Sequence, residues 1–175
     1  MRIVSDIGLF VLGLMAALVS VSFARSAGGA WGFVQIPVIV LVLAVFFLKE
    51  NRLASLAAGI GIGLDVLSAY PFFIWTAIIV ATVLVGWWLS KTILTNRSLP
   101  SLILLGTAMR LAYFIFELAF SRMAEIFGGS VWYMVMSINF LNVLLAFGIE
   151  LVALVAAFMI YVRSRGEHSR MLTHL

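Results

Sequence analysis

Hydrophobic residues run along this chain in long unbroken stretches, separated by short clusters of charged and turn-forming residues. Six such stretches can be read, over residues 7–24, 31–48, 53–70, 71–90, 99–120 and 134–162. At a rise of about 1.5 Å per residue each is long enough to approach a hydrocarbon core of about 30 Å. None shows the alternating ten-residue segments of a transmembrane barrel, and lipid offers no partner to an unpaired backbone group, so all six are expected to be helices. The expectation is an all-α membrane protein: about six transmembrane helices in a single domain over 1–175, joined by short loops that pack neighbours antiparallel.

Composition points the same way. The chain is 65% hydrophobic and 10% charged, with a mean hydropathy of +1.21, against roughly 25% charged residues in a soluble domain. With no cysteine, disulfides, thiolate metal sites and a cysteine nucleophile are excluded. The net charge of +4 belongs to helix ends and not to a soluble basic face, so nucleic acid is not an expected partner; membrane lipid is.

The charged clusters set the orientation. Arg2, Lys49, Arg52, Lys91, Arg97, Arg163, Arg165 and Arg170 fall on one side of the membrane, and Arg25 and Arg122 on the other. The positive-inside bias then places both termini in the cytoplasm. The basic tail 163–175 would lie against an anionic leaflet. Trp31, Trp87, Trp88, Trp132 and Tyr133 are near segment ends, as interfacial anchors are. A signal-peptide reading of the first stretch, with Arg2 as its positive start and Ser22-Phe23-Ala24 before the cut, is disfavoured by its length and by Asp6.

Within the third stretch, Gly59 and Gly63 form a small-xxx-small pair suited to close helix packing. The GxGxG string there follows no strand and is no nucleotide motif. Between the fourth and fifth stretches, Ser98 and Pro100 read as the cap and first turn of a helix.

Asp65, Arg110, Glu117 and Glu150 fall inside apolar stretches, where each costs about 2.5–3.5 kcal/mol at a helix centre and is expected to be paired in the interior. Arg110 and Glu150 are near the midplane, and Asp65 and Glu117 nearer the outer side, so Arg110 is expected to meet Glu150 or Asp65. Arg110, Tyr113 and Glu117 share one face of the fifth helix, and Asn139, Asn142, Ala146 and Glu150 form a stripe on the sixth. A structural ion pair is the leading reading; a ligand or proton site and a partner's transmembrane helix are the others. Both histidines, His168 and His174, lie beyond the last stretch, leaving no intramembrane base or metal ligand of that type. No catalytic set, metal site or cofactor is expected.

The segment GIGLDVLSAYPFF, with Asp65, Ser68 and Pro71, followed by the loop TNRSL, resembles the rod-shape-determining MreD family over roughly residues 50–120. That resemblance implies a non-enzymatic scaffold in the bacterial cytoplasmic (inner) membrane, part of the cell-elongation machinery. Its partners would be an MreC-type protein and peptidoglycan synthases, linked to the cytoplasmic filament system; a homodimer is compatible with it. The family's fold is similar to that of the substrate-binding membrane subunits of energy-coupling-factor vitamin transporters, which supply the rival function. In that reading Asp65, Glu117, Asn139 and Asn142 line an outward pocket, and Gly13 with Ala17 offers a docking face for an energising module. A channel or proton-coupled carrier ranks last.

Overall fold

A computed structural model describes residues 2–26, 33–48, 50–67, 73–92, 98–126 and 140–171. Among these the regular structure is helical: α1 (Arg2–Ser26), α2 (Ile36–Phe47), α3 (Glu50–Leu67), α4 (Ile74–Thr92), α5 (Leu99–Ile126) and α6 (Phe140–Met171). Within α1, α4, α5 and α6 lie apolar windows long enough to cross a membrane, the last of them Leu141–Ser164. α3 carries Glu50, Arg52 and Asp65, and α2 has 12 residues, about 18 Å at the usual rise.

The shortest helix is the centre of the molecule. α2 packs against every other helix, and its sequence, IPVIVLVLAVFF, has no polar side because no side of it faces water. Leu41 and Val42 of α2, Leu56 and Ile60 of α3, Ile78 and Ile79 of α4, and Leu102, Leu105 and Met109 of α5 are fully buried around it. The outer faces stay apolar: Ile7, Val11, Met15 and Leu18 on α1, and Leu141, Leu145, Val152 and Met159 on α6, are exposed, as a lipid-facing surface requires.

Residue contacts give the helix directions. Gly13 of α1 meets Leu56 and Ile60 of α3, while Ala17, one turn on, meets Gly63, so α1 and α3 run parallel. Asp65 near the end of α3 reaches the start of α4, making those two antiparallel. α4 and α5 pair Trp75 with Tyr113 and Gly86 with Met109. α2 and α6 run parallel, from Gln35 beside Glu150 to Phe47 beside Tyr161, and both oppose α5. Directions therefore alternate along the chain.

Several expected boundaries move. The second stretch, expected to be helical over 31–48, is helical over Ile36–Phe47, because Pro37 breaks it. The fifth helix runs on to Ile126. The sixth reaches Met171, so most of the expected basic tail is helix, as propagation adds one backbone hydrogen bond per residue once the helix has started. Ser98 begins α5 as the sequence suggests, its hydroxyl accepting the Ser101 amide at 3.4 Å. Ser68, Pro71, Phe72, the segment 95–97, Trp31, Trp132, Tyr133, Asn139 and His174 lie outside the described residues.

Candidate functional site

In a continuous helix the amide of residue 37 would donate to the carbonyl of residue 33. Residue 37 is proline and has no amide hydrogen, and its ring crowds that same carbonyl. The helix therefore starts late, with Gln35 at the N-cap (φ −95°, ψ 83°) and no side-chain cap bond of its own. Two orphaned groups result, the carbonyl of Phe33 and the amide of Gln35. The partner of that amide, Glu150, is nine residues, roughly 14 Å, from the start of the apolar window Leu141–Ser164 of α6. At such a depth non-helical backbone persists only if the protein itself satisfies it.

Two charged side chains do so. Arg110 of α5 donates from Nη2 to the Phe33 carbonyl at 3.2 Å, and Glu150 of α6 accepts the Gln35 amide through Oε1 at 2.7 Å. The two side chains join each other, Nε to Oε2, at 3.3 Å. Both are buried. The carboxylate also faces the N-terminal end of α2, where the helix dipole favours negative charge. Of the two expected partners for Arg110, Glu150 is therefore the one it meets.

Asp65, the other expected partner of Arg110, is used elsewhere. Its carboxylate accepts the amides of Trp75 and Thr76 at 2.9 and 3.1 Å and the Thr76 hydroxyl at 2.6 Å. It is a cap supplied to α4 from the preceding helix. The reason lies at Phe73, whose carbonyl accepts the first helical bond from Ala77 and which therefore occupies the N-cap position without an oxygen to offer. Phe73 also has φ 46°, a conformation that costs a residue with a Cβ about 1–3 kcal/mol. Capping N–H groups that a helix leaves open, a task usually done by its own N-cap side chain, falls here to a residue ten positions away.

An aromatic pair connects the two arrangements. Trp75, whose amide Asp65 holds, stacks on Tyr113 with ring centres 6.3 Å apart and planes at 21°. The Arg110 guanidinium lies 5.9 Å from the centre of that same ring, within cation–π range. Asp65, Trp75, Tyr113, Arg110 and Glu150 thus form one connected layer through α3, α4, α5 and α6, closing the ends of α2 and α4.

The other expected site residues are not drawn into this layer in the same way. Glu117 is half-buried further along the Arg110 face of α5 and within electrostatic reach of Arg110. Asn142 is half-buried on α6. The crevice beside the ion pair is lined by Val38, Ile39 and Val42, by Gly106, and by Phe147, Glu150, Leu151 and Leu154; Asp65, Glu117 and Asn142 are not part of its wall. Gly59 and Gly63 sit against α1: a Cβ on Gly63 would come within 2.7 Å of the Ala17 Cβ, and one on Gly59 would strike the Phe10 backbone. Gly13 and Ala17, proposed as a docking face for another module, are covered by α3 instead.

Sequence reasoning missed Pro37, Phe33, Gln35, Trp75 and Thr76. Pro37, the seventh residue of the 31–48 stretch, was the available signal for the first three, since it removes a named hydrogen bond. Comparison with protein-family models, curated proteins and solved structures returned no match.

Proposed function

We propose that this protein is a non-enzymatic scaffold of the MreD type, crossing the bacterial cytoplasmic membrane six times with both termini in the cytoplasm. It binds an MreC-type protein and peptidoglycan synthases and links them to the cytoplasmic filament system. The observation that carries the reading is the use of the intramembrane charges. Asp65, Arg110 and Glu150 are each bonded to backbone groups of the protein's own broken or uncapped helices, an arrangement that fixes a shape. The alternating helix directions support an even number of crossings, and the resemblance over residues 50–120 supplies the family.

A transporter-subunit function draws less support, because Asp65 is engaged at α4 and Gly13 with Ala17 is covered by α3. The test is affinity copurification of the intact protein from native membranes in mild detergent, with mass spectrometry of both proteins and small molecules. Recovery of an MreC-type protein or peptidoglycan synthases is expected. Recovery of ATPase subunits with a stoichiometric small molecule would overturn the proposal.

A further inference from the structure

α6 joins the rest of the molecule along one seam. Ala146, Glu150 and Leu154 are its buried residues, and Phe158 and Tyr161 continue the line against Phe46 and Phe47 of α2. On the far side Leu141, Leu145, Val152 and Met159 are exposed. Glu150 is thus at once a seam residue of α6 and the acceptor for the first amide of α2. Lifting α6 removes that acceptor and, in the same movement, the counter-ion of Arg110, which holds the Phe33 carbonyl. The carbonyl has no donor within α2, because Pro37 lacks the amide hydrogen it would otherwise accept, and the Gln35 amide, at the N-cap, precedes every helical acceptor of α2.

We propose that the Arg110–Glu150 pair is a latch coupling the seating of α6 to the state of the α2 break. With α6 seated, the Phe33 carbonyl and the Gln35 amide are bonded and Val34 between them is buried. With α6 displaced, the segment opens and its two backbone groups are hydrated. The coupling is reciprocal, so whatever engages the exposed face of α6 also acts on the centre of the bundle. This goes beyond the scaffold proposal and does not depend on it.

The absence of native cysteine makes a single-cysteine reporter clean. Val34→Cys, at a site buried between the two bonded groups, is introduced into the full chain in liposomes and reacted with a membrane-impermeant maleimide. Two changes unseat α6 by independent routes. Glu150→Ala removes the latch, whereas Gly106→Phe keeps both of its charges and crowds α6 at Leu154, whose side chain a Cβ there would meet at 2.6 Å. Labelling of Val34→Cys is expected to rise by about tenfold in both, within the usual range for coupled sites. Ala17→Cys, buried in the α1–α3 contact, is expected to stay unlabelled throughout. An unchanged Val34→Cys rate in either variant, or a rise shared by Ala17→Cys, overturns the proposal, the second because general unfolding then explains it.

Discussion

Thr76 holds Asp65 twice, its amide at 3.1 Å and its hydroxyl at 2.6 Å from the same carboxylate oxygen. The cap on α4 is therefore a joint product of two helices. Asp65→Ala is expected to destabilise the protein by about 1–2 kcal/mol, the upper part of the range for losing a helix cap. Thr76→Val, which keeps the amide bond, is expected to lose about 1 kcal/mol. Combined, the two changes are expected to fall short of their sum, since both remove the same hydroxyl contact. Thermal unfolding in detergent, followed by tryptophan fluorescence, measures all three; a native midpoint for Asp65→Ala would rule out the cap.

For Arg110 and Glu150 the expected pattern differs from that of an isolated buried pair. Either single replacement by leucine leaves an uncompensated charge and is expected to cost about 3–5 kcal/mol. In an isolated pair the double replacement would recover nearly all of that. Here the Phe33 carbonyl and Gln35 amide would still be orphaned, at about 1–3 kcal/mol each, so the double variant is expected to recover only part. Full recovery in a denaturation series would show that the pair serves only itself.

Pro37 offers a sharper check on why Arg110 is needed. Pro37→Ala restores an amide where the Phe33 carbonyl can accept it, so Arg110→Leu is expected to be milder in that background by about 1 kcal/mol, the worth of one hydrogen bond. Equal damage with and without the proline, in the same unfolding assay, would break the link between them.

Four of the glycines mark two extremes. A Cβ on Gly13 would lie 2.6 Å from the Leu56 carbonyl oxygen and 2.9 Å from the Ile60 nitrogen. Backbone cannot yield as a side chain can, so Gly13→Ala and Gly59→Ala are expected to force α1 and α3 apart and cost about 1–3 kcal/mol. Nothing lies within 4 Å of a Cβ on Gly8 or Gly148, and alanine there is expected to be neutral or to gain up to about 1 kcal/mol of helix propensity. A matched alanine set read by thermal unfolding separates the two groups.

Hydropathy located the helices, and depth along them narrowed the partners of Arg110 to Glu150 and Asp65 without choosing between them, because charge in lipid must be met at its own level. The same reasoning offered Asp65 as an alternative partner for Arg110 and did not find its role as a cap. It treats a carboxylate in an apolar helix as seeking a cation, whereas the open amides at the start of α4 satisfy it equally well. That choice depends on the backbone at Phe73, which no periodicity reveals. The break in α2 was written in Pro37 but overridden by the length of the apolar run around it, since length alone is blind to a single missing donor. The Gly13–Ala17 and Gly59–Gly63 motifs were both visible. Their meeting was not, because a small-residue face names no partner.

The contact between Gln35 and Glu150 spans 115 positions of sequence, and that distance is also a time. At roughly 5–20 residues per second of synthesis, about 6–23 s separate the emergence of the first residue from that of the second. Through that interval the central helix is in the membrane with its open end lacking the acceptor that completes it. A helix made late therefore finishes the middle of the molecule, and a chain cut short before α6 leaves Arg110 without its counter-ion and the Gln35 amide without its acceptor.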